Sequence, residues 1–67
     1  MNKIWKSFIK LIENLLNDDN GISEESYNHI LDMIEENFGN IHPDDFNIWM
    51  SIYRQVKATD GRFYLKD

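Results

Sequence analysis

Apolar residues recur at helical spacing in three separate stretches of this 67-residue chain, and that period limits its fold more than any other feature. From Ile4 to Leu16 they fall at 4, 5, 8, 9, 11, 12, 15 and 16, with Lys3, Lys6, Lys10 and Glu13 on the far side. Asn17-Asp18-Asp19-Asn20-Gly21 ends this first helix, because short polar side chains and glycine favour turns and left-handed backbone. Ser23 is placed to cap a second helix, Glu24 and Glu25 suit the positive end of its dipole, and Ile22 and Tyr27 are spaced as a hydrophobic staple. Its buried face is expected to be Tyr27, Ile30, Leu31, Ile34 and Phe38, with Gly39 as the stop.

A third helix opens at Pro43, with Asp44 and Asp45 in its first turn and Ile41 and Phe46 as a second staple. Its apolar set, Phe46, Ile48, Trp49, Met50, Ile52, Tyr53 and Val56, covers about 200° of the helical wheel, wider than a surface helix needs. Such a helix is either central, packed on two neighbours, or partly an interface. Ala58-Thr59-Asp60-Gly61 reads as a turn, and Arg62-Phe63-Tyr64-Leu65 as an extended tail folding back. The expected fold is all-α: a three-helix bundle with a short C-terminal extended tail, forming a single acidic domain over residues 1–67.

Size and composition narrow the function. A chain this short buries only about 60% of its unfolded surface, so its stability is marginal and it has little volume to enclose a pocket. It has no cysteine, which excludes disulfides and Cys-based metal sites and fits a reducing compartment. No run approaches the roughly 18 apolar residues of a membrane span. Lys6, Lys10 and Glu13 interrupt any signal-peptide core, so a cytoplasmic chain beginning at Met1 is expected. Eight Asn, nine Ile and five Lys suggest an AT-rich coding sequence, as in a bacterium, plasmid or phage.

Charge is distributed very unevenly. Leu11 to Tyr53 holds ten Asp or Glu and no Lys or Arg, within a formal net charge of −5 at pH 7. One-sided charge costs self-repulsion and contributes nothing to a core, so attraction to a basic surface is its natural use. On the second helix Glu25, His29, Asp32 and Glu36 project within about 60° of one another, opposite Ile34. They form a candidate acidic docking ridge, Glu24 lies at its start, and Trp49, Tyr53 and Tyr64 are candidate apolar anchors. The competing view is a solvated helix face that needs no partner.

Other chemistries find less support. The E-x3-H-x2-D-x3-E spacing lacks the Glu-x-x-His pair of carboxylate di-metal bundles, and no metal or other cofactor is expected. A calcium loop with Gly21 at its sixth position would put Leu16 and Tyr27 where carboxylates are required. Ser7, Ser23, Ser26, Ser51 and Thr59 sit in no nucleophile motif, there is no Gly-rich phosphate loop, and Glu35 and Glu36 diverge by about 100°, so an enzyme is not expected. His42, before Pro43, reads as a loop or cap residue. The first helix could lie on an anionic membrane through Trp5 and Phe8, but Ile4, Trp5, Phe8, Ile12 and Leu15 read first as core. Direct nucleic-acid binding is disfavoured, since the second and third helices carry only Arg54 and Lys57, both at the very end.

Phe8-Ile9-Lys10-Leu11-Ile12, then Asn17 and Asp19, Ser23-Glu24-Glu25 and His42-Pro43 resemble the colicin/pyocin nuclease immunity proteins. Gln55-Val56-Lys57-Ala58-Thr59-Asp60-Gly61-Arg62, with Lys66, is similar to that family's closing helix and tail. The chain is shorter than the family and has no counterpart of its short third helix with paired tyrosines. The resemblance implies an acidic helical inhibitor that clamps a basic nuclease, with Glu24, Glu25, Asp32 and Glu36 at the matching acidic positions. The expected function is therefore binding and inhibition of a basic protein, such as a toxin nuclease or other nucleic-acid enzyme, by an immunity protein or a phage-encoded mimic of DNA charge. The alternative is a self-associating structural module, a homodimer through the wide arc of the third helix.

Overall fold

A computed structural model describes residues 4–65. Three helices are present where the periodicity places them: α1 (Ile4–Leu16), α2 (Glu24–Glu36) and α3 (Pro43–Gln55). The expected all-α architecture is overturned by three strands, β1 (Ile22–Ser23), β2 (Val56–Thr59) and β3 (Arg62–Leu65), which form an antiparallel sheet in the order β1-β3-β2. The fold is mixed: the extended tail folds back, as a strand of a small sheet.

The sheet begins as a hairpin. Asp60 and Gly61 have φ of 53° and 74°, the left-handed pair that a two-residue type I′ connection requires. Val56 then pairs with Leu65, Lys57 with Tyr64, Ala58 with Phe63 and Thr59 with Arg62. The other edge of β3 takes Ile22 opposite Phe63 and Ser23 opposite Arg62. The presumed turn over Ala58–Gly61 is thus tighter than expected, and α3 gives way at Val56 to a strand.

Caps follow local chemistry. Ser23 Oγ accepts from the Ser26 amide at 3.2 Å, and the Glu24 amide donates to the Gly61 carbonyl at 3.1 Å, so the hairpin turn helps seat the start of α2. His42 Nδ1 accepts from the Asp44 amide at 3.0 Å, ahead of Pro43 at the first turn of α3. α2 stops at Asn37, whose side-chain amide donates to the Met33 carbonyl at 2.8 Å. Gly39, expected as the stop, lies instead in a 3₁₀ turn over Phe38–Asn40.

The core joins Trp5, Ile9, Ile12 and Leu16 of α1, Ile22 of β1, Tyr27 and Ile34 of α2, Ile41 of the connection, and Trp49 and Ile52 of α3. Tyr27 stacks on Phe63 with ring centroids 4.3 Å apart, which anchors α2 to the sheet. Three residues expected in the core are exposed: Ile4, Leu15 and Phe38. Phe38 is 57% exposed and meets Phe46 edge-on, and Leu15 is 46% exposed. α1 packs on α3 and β3, whereas α2 packs on β1, β3 and the 3₁₀ turn. Both α1 and α2 thus pack on β3. Among the described residues no helix is long and apolar enough to cross a membrane.

Candidate functional site: an acidic helix beside an open apolar groove

With Tyr27 and Ile34 turned into the core, helical geometry sends Glu25, His29, Asp32 and Glu36 outward, and all four are exposed, as is Glu24. None of these carboxylates has a cationic partner among the described residues. The close acid–base contacts found there are Lys10 with Glu13 at 4.0 Å and His42 with Asp44 at 3.8 Å. The second involves the same His42 Nδ1 that accepts a hydrogen bond from the Asp44 amide, a local contact at the start of α3. The charge of α2 is thus left for solvent or for a partner.

Beside this ridge, α1 presents two apolar rows. Trp5, Ile9, Ile12 and Leu16 fill the core, while Leu11 and Leu15 are 52% and 46% exposed and Phe8 is half-buried. Ile4 is also exposed, so of the residues read first as α1 core, Trp5 and Ile12 are buried and Ile4 and Leu15 are not. Burial of Trp5 against Phe8, edge to face at 5.4 Å, also withdraws it as a membrane-inserting side chain. Between α1 and α2 runs an open groove of ≈ 880 Å³. Phe8, Leu11 and Leu15 line one side and Ile30 and Met33 the other, with Glu24, Glu25, His29 and Asp32 also contributing.

Three ridge members, Glu25, His29 and Asp32, therefore share a cleft with Glu24, and Glu36 is outside its lining. The proposed aromatic anchors are not brought there. Trp49 is 3% exposed, a core residue, which removes it as a surface anchor. Tyr53 is exposed on α3, 6.0 Å from the Trp49 ring, and Tyr64 is half-buried on β3 opposite Lys57. Leu11 and Met33 line the groove without having been singled out from the sequence, and Leu15, expected in the core, lines it as well. For the two leucines the signal was present, since the apolar positions of α1 span about 160°, more than a helix resting on one side needs.

The remaining polar features are local. The Asp18 carboxylate accepts from the Asn20 amide at 2.9 Å, closing the turn after α1 on itself. No group of three or more His, Asp or Glu converges as metal ligands among the described residues. Comparison with protein-family models, with curated proteins and with solved structures finds no match.

Proposed function

We propose that this protein binds and inhibits a basic protein through the outward face of α2. The observation that carries this reading is a row of exposed carboxylates, Glu25, Asp32 and Glu36 with Glu24 at its start, that has no cation to pair with among the described residues. Such a row speeds encounter with a cationic surface and rejects acidic ones. A protein that binds nucleic acid exposes a surface of that kind, because Lys and Arg neutralise phosphates. Covering it blocks access of the nucleic acid. A toxin nuclease or another nucleic-acid enzyme, met in the cytosol, is the partner class this chemistry fits. The sequence resemblance to nuclease immunity proteins implies the same acidic α2 positions, and a mimic of DNA charge would use the same face.

Self-association through α3 is less well supported. Ile48 and Tyr53 are its exposed large apolar residues, and five helical positions place them about 140° apart, on opposite flanks of the buried Trp49 and Ile52. They do not form one face.

The test is capture at low salt from lysates of source and host cells, with the Glu25→Lys/Asp32→Lys/Glu36→Lys variant as control, followed by assay of the captured enzyme. Inhibition of a basic nucleic-acid enzyme, lost on charge reversal and in high salt, is the expected result. Equal capture by the variant, or a captured protein whose activity is untouched, overturns the reading.

A further inference from the structure

We propose that the groove between α1 and α2 receives an amphipathic, lysine- or arginine-bearing helix of the partner protein. This deepens the preceding reading and rests on it for the sign of the partner's charge. Phe8, Leu11 and Leu15 follow one another at spacings of three and four, the seam against which a second helix packs. They form a continuous apolar row on one wall, and Met33 faces them from the other.

A helix laid in such a groove reads it through residues at i, i+3, i+4 and i+7. Glu24, Glu25 and Asp32 contribute to the lining and no Lys or Arg does so on the α2 side, so the flanks of the incoming helix must be cationic or neutral. A membrane surface does not present a single helix-wide apolar ridge. A second copy of this chain is disfavoured by charge: each copy is formally −5, and mutual docking would bring two acidic α2 helices together.

The experiment is selection of a displayed library of random peptides of about 16 residues, roughly 24 Å as a helix. The full chain is the target, and the Leu11→Gln/Leu15→Gln variant serves for counterselection. Both leucines are exposed, so the variant is expected to keep its fold, which circular dichroism checks. Met33→Gln, on the opposite wall, is the independent second variant.

Enriched peptides are expected to carry apolar residues at helical spacing flanked by Lys or Arg. Their binding should weaken by about tenfold or more in either groove variant and in Glu25→Lys/Asp32→Lys. If nothing is enriched, or if peptides without helical apolar spacing prevail, the groove proposal fails. Cationic peptides that bind the leucine variant equally well would also sink it, while leaving the electrostatic reading of α2 standing. Apolar peptides without basic residues would count against both. Sedimentation showing a dimer that Leu11→Gln/Leu15→Gln dissociates would assign the groove to a second copy and overturn the proposal.

Discussion

Arg62 Nε donates to the Asn20 carbonyl at 2.9 Å, and its Nη2 lies 3.5 Å from the Gly21 carbonyl. One guanidinium thereby ties the loop leaving α1 to the strand that closes the sheet, across 42 positions of sequence. The fork geometry suits two neighbouring carbonyls, and lysine cannot reproduce it. Arg62→Ala is expected to cost about 1–2 kcal/mol, with Arg62→Lys recovering less than half of that. Urea unfolding of the three proteins measures the difference, and an Arg62→Ala midpoint equal to that of the unmodified chain would remove the clamp from the account.

Gly21 and Gly61 both have positive φ, 62° and 74°, but their surroundings differ. A Cβ on Gly21 would overlap the Phe63 carbonyl oxygen and lie 2.9 Å from the Tyr64 ring, whereas one on Gly61 would meet nothing within 4 Å. Gly61→Ala should therefore cost only the left-handed strain, about 1–2 kcal/mol. Gly21→Ala adds an overlap with the backbone of β3 and should cost about 2–4 kcal/mol. Thermal melts of the two variants side by side check the order.

Tyr27 is 4% exposed, and its hydroxyl has no hydrogen-bond partner among the described residues. Burial, with a smaller contribution from Tyr53, pushes its pKa up to about 12. Removing the hydroxyl loses no hydrogen bond, so Tyr27→Phe is expected to leave stability unchanged or raise it by up to about 1–2 kcal/mol. The unfolded chain ionises this tyrosine near pH 10 and the folded chain near 12, so its contribution is complete below about pH 10 and is lost as pH rises to about 12. That loss is roughly 2–3 kcal/mol in the unmodified chain and absent in Tyr27→Phe. Denaturant melts of both proteins between pH 9 and 12 measure it.

Leu15 and Leu16 are neighbours in sequence with opposite fates, 46% and 1% exposed. Leu16→Ala is expected to cost about 2–5 kcal/mol through a cavity among α1, the sheet and α3, and Leu15→Ala less than about 1 kcal/mol. Chemical denaturation distinguishes them. Equal losses would mean that α1 is rotated and that the groove wall belongs to the core.

By itself the sequence determined the local elements. The period of α1, the Ser23 and His42 caps, Pro43 at the start of α3, and an outward acidic face on α2 all depend on neighbours within about four positions. The Asp60-Gly61 pair was also legible as a turn, although its hairpin meaning requires strands on both sides. The tertiary structure alone decided that Ile22–Ser23 is a strand, because two residues become one only when Phe63 and Arg62, some forty positions away, supply the hydrogen bonds. It also decided which row of α1 is core and which is open, and that Trp49 is buried while Leu11 is not. Helical spacing gives each residue a direction relative to its own axis. Which direction meets another element depends on how that axis is set against the sheet, and contacts distant in sequence fix that setting.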